Sequence, residues 1–214
     1  MRRSILSTFS FLLAISIVLF SSSCSRSGKF DLVKAAKLVG AEEVGIIGFS
    51  KKMSFSNRED PVYVNDTGVD AQELFDATIN RFGKLPEAKI SEATAMYYPL
   101  SGEEDENWYY ILAYSITFET KKGAQDFYQY YEEEITDKYD EGGNEILDSG
   151  MDSKGYKFTI GGIEKDNGRA VVWSVFMCGN QSLFVFVVSE DKSEPKPLRI
   201  IFDAMGIKSS FSIF

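Results

Sequence analysis

The sequence predicts an α+β domain in which an antiparallel sheet carries helices packed on one face. Three observations carry that expectation. Apolar residues recur at helical spacing in four segments, and two-residue alternation marks others. The strand-like segments also come in runs joined by short turns, as hairpin-linked antiparallel strands do. The expected order is α-β-β-α-β-β-α-β-β-β-α.

Asp31 caps a first helix, Leu32 to Val39, whose apolar positions 32, 35, 36 and 39 share a face and whose stop is Gly40. Val44 to Phe49 reads as a short strand. Lys51 to Asp66 reads as irregular and polar, apart from a small strand at Val62-Tyr63-Val64 and a turn at Asn65-Asp66-Thr67-Gly68. Asp70 caps the next helix and Glu73 completes a capping box. Ala71, Leu74, Phe75, Thr78, Ile79 and Phe82 form its inner face, and Gly83 and Pro86 end it.

Lys89 to Tyr98 and Trp108 to Glu119 are strands, joined by an acidic loop over 102–107. Tyr110, Leu112, Tyr114, Ile116 and Phe118 alternate in the second, the pattern of a strand buried on one side. Thr120 caps the longest helix, Lys121 to about Lys138, with Ala124, Phe127, Tyr128, Tyr131 and Ile135 as its core stripe. Asp140 to Ser153 is rich in glycine and acids and reads as a loop. Strands follow at Tyr156 to Gly161, Ala170 to Cys178 and Leu183 to Ser189, with hairpin chemistry between them. A last helix starts near Pro197 and buries Leu198, Ile201, Phe202 and Met205 before Gly206. Segments 70–119 and 120–189 each place a helix before consecutive strands, the outline of two ferredoxin-like units.

The N-terminus has a different logic. Met1-Arg2-Arg3 is positive, Ile5 to Phe20 is apolar and uncharged, and Ser21-Ser22-Ser23-Cys24 closes the run with small residues. That sequence of regions is an export signal, and the apolar stretch is short for a membrane span. Small residues directly before a cysteine resemble the lipobox of bacterial lipoproteins. The resemblance implies cleavage before Cys24, acylation of that residue (the palmitate-type anchor of the class) and a membrane-held domain outside the cytoplasm. It divides the chain into a signal peptide over 1–23, a lipidated tether over 24–29 and a single α+β domain over 30–214, with internal halves meeting near 119/120.

Removing the signal takes Arg2 and Arg3 and moves the net charge of −9 by two units to −11. Such an acid excess excludes nucleic acid as a partner, because phosphates are gripped by Lys and Arg. It also speaks against polybasic adhesion to anionic lipid. The chain contains no histidine, so Ser-His-Asp and Cys-His catalysis and imidazole-ligated zinc are excluded. Cys178 closes an apolar strand and reads as a small buried hydrophobe.

The four acids Glu103 to Glu106 adjoin one another and read as a solvated loop, since neighbours of this kind cannot all converge on one calcium ion. Asp137 to Asp148 has the length of an EF-hand loop with Gly142 at its sixth position, but Tyr139 and Asp148 stand where stronger ligands belong. No cofactor, metal or catalytic residue is nominated, and catalysis is not expected. The tyrosines remain. Tyr98, Tyr109, Tyr110 and Tyr130 are the candidate interaction surface for a protein or glycan, because tyrosine joins a large apolar body to a polar tip. The alternative is capture of a ligand in an aromatic pocket between sheet and helices.

Overall fold

Residues 30–53, 60–78, 89–100, 109–140, 145–152, 155–164, 170–189 and 195–207 are described in the computed structural model. In chain order their elements are α1 (Leu32–Leu38), β1 (Glu42–Glu43), α2 (Ile46–Met53), β2 (Val62–Thr67), α3 (Gly68–Thr78), β3 (Ile90–Pro99) and β4 (Tyr110–Phe118). There follow α4 (Lys121–Asp140), β5 (Glu145–Met151), β6 (Lys157–Glu164), β7 (Ala170–Cys178), β8 (Gln181–Ser189) and α5 (Lys196–Ala204). The strands form one eight-stranded sheet in the order β1-β2-β3-β4-β8-β7-β6-β5. Every pairing is antiparallel except the two-residue contact of β1 with β2. The molecule is an α+β protein, as its sequence predicts.

Helices lie on both faces of that sheet, not on one. Leu32, Ala35 and Ala36 of α1 and Leu198, Ile201 and Phe202 of α5 pack with Met96, Ile111, Ala113, Phe176 and Val185. Phe49 of α2, Leu74 and Phe75 of α3, and Ala124, Phe127 and Ile135 of α4 pack with Val64, Ala95, Ile116, Phe118 and Val175. Adjacent strand residues such as Ala113 and Tyr114 therefore enter opposite cores, which strand alternation requires. The expectation of a half-solvated β4 fails for that reason. Ile111 and Ala113, between its tyrosines, are completely buried. The segment is apolar on both sides, the signature of a doubly covered strand.

Three further expectations change. Val44 to Phe49 is not a strand: the Phe49 amide donates to the Gly45 carbonyl at 2.9 Å, and α2 turns Phe49 inward while Ile47 is 73% exposed. The stretch 140–153, expected as a loop, contains β5, which pairs along β6 with a register shift between Ile146 and Asp148. Asp148 sits opposite Ile160 in that ladder, so the last position of the EF-hand pattern lies in a strand. Helix α3 begins at Gly68, whose φ of 61° turns the chain directly out of β2, so Asp70 lies in the first turn and is not the cap. Ile79, Phe82, Gly83 and Pro86 lie outside the described residues, as do Cys24, the signal segment, Gly142 and Glu103 to Glu106.

Among the described residues, the strands do not form ferredoxin-like units. A split β-α-β unit needs parallel strands flanking a third, whereas β5 to β8 form a plain antiparallel meander. The two four-stranded halves meet edge to edge along β4 and β8, from Tyr110 opposite Val188 to Thr117 opposite Gln181. Residues 119/120 thus separate the two runs of strands within one hydrogen-bonded sheet.

Candidate functional site

The face covered by α2, α3 and α4 carries two neighbouring groups of aromatic rings. Phe184 and Phe186 alternate along β8 with buried Leu183, Val185 and Val187 and point to this side. Phe186 stands opposite Leu112 on β4 and Trp173 on β7. Its ring stacks on Trp173 at 5.8 Å between centroids and meets Tyr110 at 5.8 Å. Tyr110 in turn contacts Tyr97 at 5.8 Å. Two residues back along β8, Phe184 meets Tyr131 at 4.4 Å, and Tyr131 holds Tyr130 edge-on at 5.2 Å. Tyr97 is buried; Tyr110, Trp173, Phe184, Phe186, Tyr130 and Tyr131 are each only partly covered.

Helix α4 determines where this strip stays open. It starts over β8, where the Ser182 hydroxyl donates to the Ala124 carbonyl, and crosses toward β6. There Tyr128 Oη and Thr159 Oγ1 are 2.6 Å apart, and Glu132 accepts from Thr159 at 3.2 Å and from Tyr128 at 3.3 Å. Lys157 pairs with Glu132 at 3.1 Å and lies 4.1 Å from the centroid of the Tyr128 ring. Each polar group in this cluster has a partner, so it reads as the pin between helix and sheet. Burial is the main cause that pushes the Tyr128 phenol up, and the nearby Glu132 adds to it. The Tyr130 phenol is likewise raised, by burial and by Glu134.

Of the residues singled out in the sequence, Tyr110 and Tyr130 lie on this strip, at its two ends. Tyr98 does not join them: alternation turns it to the other side, where it packs with Leu100 against the core of α1 and α5. Tyr109 is partly exposed one residue ahead of β4, its carbonyl accepting from the Leu100 amide at 2.9 Å. Sequence reasoning missed Trp173, Phe184, Phe186 and Tyr131 as surface groups. Their signal was present in the two-residue spacing of Phe184 and Phe186, and it was hidden by equally apolar neighbours.

Other polar concentrations are less open to a ligand. A groove of about 290 Å³ beneath the start of α1 is lined by Asp31, Glu92, Thr94, Ser115, Thr117 and Gln181 among others. Its side chains are largely engaged with their surroundings: Thr94 donates to Asn65, Ser115 to the Phe30 carbonyl, and Gln181 to Thr117. Asp66 has its carboxyl pushed up, chiefly by burial and then by Asp70, Glu43 and Glu73. Among the described residues, no three His, Cys, Asp or Glu side chains are placed to hold a metal ion. Nor is any described helix long and apolar enough to cross a membrane. Cys178 is buried in the core of α1 and α5.

No family model matches the sequence, and no curated protein matches it. Among solved structures, the chain is similar to the extracellular domain of PknH from Mycobacterium tuberculosis. The two share 12% identity at a TM-score of 0.40, over 70% of this chain and 84% of that one. That likeness assigns no activity to this chain.

Proposed function

We propose that this chain is a lipid-anchored extracytoplasmic lipoprotein that works by contact and not by catalysis. Its domain presents the strip of Tyr110, Phe186, Trp173, Phe184, Tyr131 and Tyr130 to a protein or glycan partner. One observation carries the reading: two groups of touching rings, Tyr110–Phe186–Trp173 and Phe184–Tyr131–Tyr130, stand two residues apart on β8 and remain partly exposed on the face that α2, α3 and α4 cover. Aromatic side chains dominate contact energetics because they bury large area at little entropy cost, and Tyr and Trp add a polar tip. The anchor rests on the signal segment and Cys24, and the lack of histidine removes the histidine-dependent catalytic mechanisms.

Capture in an internal aromatic pocket has less support. Phe75, Phe118 and Phe127, the rings between sheet and helices on this side, are packed on one another at 5.5–6.3 Å. The test is a photo-reactive amino acid placed at position 110 or 130 in the anchored protein, irradiated in intact envelopes. Discrete cross-linked products are expected at both positions and not at Val69, which is 83% exposed on α3 away from the strip. The same products at all three positions, or none, would refute contact through this surface. Fatty-acid labelling of wild type and Cys24→Ala tests the anchor, with label expected on the first and lost in the second.

A further inference from the structure

The two helical layers differ in charge. On the outer surfaces of α1 and α5, with the residue that caps α1, stand Lys34, Lys37 and Lys196 against Asp31 and Asp203, while Arg199 is partly buried. Across the sheet, α3 and the stretches of α2 over 46–51 and α4 over 121–136 carry Lys51, Lys121 and Lys122 against Asp70, Glu73, Asp76, Asp126, Glu132, Glu133 and Glu134. In a chain of net charge −9 the exposed surfaces of these two helices thus carry more cations than acids, with Glu43 and Glu92 on the sheet beside them. It also exposes two large aliphatic side chains, Leu38 at 58% and Ile200 at 43%.

This layer is also where the tether enters. Phe30 is 3% exposed, its ring lies 5.0 Å from that of Tyr156, and its carbonyl accepts from Ser115. The chain is therefore fixed to the domain at Phe30, directly before α1. Cleavage before Cys24 leaves residues 24–29 as the link to lipid, which spans at most about 20 Å even fully extended. The element that begins at the fixed end of so short a link is held beside the headgroups.

We propose that the α1/α5 layer docks on the membrane, with Lys34, Lys37 and Lys196 facing anionic headgroups and Leu38 and Ile200 entering the interface. This inference rests on the lipid anchor proposed above. Basic side chains beside aliphatic ones are what a surface-lying element needs at an anionic bilayer. The acidic layer, and the aromatic strip on the same side, would then point away from the membrane toward a partner. The overall acidity that speaks against lipid adhesion for the whole chain does not apply to this layer.

The experiment uses the processed, acylated protein (residues 24–214) in vesicles of phosphatidylcholine with and without phosphatidylglycerol. Fluorophores are attached at Leu38→Cys, Ile200→Cys, Ile47→Cys and Val69→Cys in separate variants, and a quencher is carried on lipid headgroups. Ile47 and Val69, 73% and 83% exposed on α2 and α3, are the controls on the opposite layer. Quenching at 38 and 200 is expected to exceed that at 47 and 69 several-fold, and to fall with high salt, without phosphatidylglycerol, or in Lys34→Glu/Lys37→Glu. Anchored protein quenched equally at the four positions, or more at 47 and 69, would overturn the docking and leave the anchor standing. Quenching at 38 and 200 that ignored lipid charge and salt would overturn its electrostatic basis. Protein that failed to remain with the vesicles would overturn docking and anchor together.

Discussion

Two phenols show how single side chains join parts of this fold. Tyr63 is 1% exposed and donates to Glu43 Oε2 at 2.7 Å, fastening β1 to β2. Burial, the hydrogen bond and the negative charge of Glu43 push this phenol from 10.0 up to about 12. Because the folded chain holds the proton more tightly, the contribution is complete below the unfolded value and is lost as pH rises from about 10 to about 12. Tyr63→Phe should lower stability by about 1 kcal/mol at neutral pH, the net worth of one hydrogen bond. It should also make the alkaline loss of stability shallower than in wild type. Urea unfolding at neutral and alkaline pH measures both; an unchanged alkaline slope would mean that Tyr63 titrates alike in the two states. Tyr128 serves differently, by closing the cluster of Thr159, Glu132 and Lys157. Tyr128→Phe keeps the ring under Lys157 and removes the 2.6 Å contact with Thr159, so a loss of about 1–2 kcal/mol is expected in the same assay.

Among the elements, α4 starts at the cap its sequence predicts, and the cap itself explains why. Thr120 Oγ1 accepts from the Gly123 amide at 3.1 Å, a local interaction that depends only on residues three apart. Thr120→Ala should therefore cost about 1 kcal/mol, read as a lower midpoint in thermal unfolding. Gly123 carries the opposite lesson. Helix propensity alone would favour Gly123→Ala by roughly 1 kcal/mol. A Cβ there would stand 3.1 Å from Phe118 Cδ1 and 3.3 Å from its Cβ, in a ring already held by Phe75 and Phe127. The substitution is expected to destabilise, and a raised midpoint would show that Phe118 yields. Non-local packing of this kind also decided the elements that sequence reading assigned otherwise. β5 has the glycine and acid content of a loop, and only pairing with β6 makes it a strand. Val44 to Phe49 has β-branched residues, yet it lies at the sheet margin, where a helix delivers Phe49 to the core. The aromatic strip was half visible for the same reason. Tyr110 and Tyr130 could be named from composition, but their placement beside Phe186 and Phe184 depends on β8 lying beside β4, a register that sets Phe184 opposite Tyr114 across 70 residues of chain.

The joint between β4 and β8 makes the sheet one object. Ser115, Ala113 and Ile111 face Leu183, Val185 and Val187 along it, and α1 packs over the same side together with α5. Dividing the chain at 119/120 would leave the second half with β8 as a bare edge of nine residues, Gln181–Ser189, none of them charged. It would also strip α5 of its neighbour α1. An uncharged apolar edge is a template for further pairing. Residues 120–214 expressed alone should therefore associate into large oligomers, whereas residues 24–214 without the acyl chain should remain monodisperse by size exclusion with light scattering. Supplying residues 24–119 in the same cells should restore soluble material, because β4 then covers β8 and α1 covers α5. A second half that stayed monomeric, with the circular dichroism of a folded sheet, would show two independent domains meeting near 119/120. The aromatic strip makes the same division informative about function, since Tyr110 lies on one side of it and Trp173, Phe186, Phe184, Tyr131 and Tyr130 on the other. Contact through the strip then needs both halves, and cross-linking from position 130 should reappear only when the first half is present.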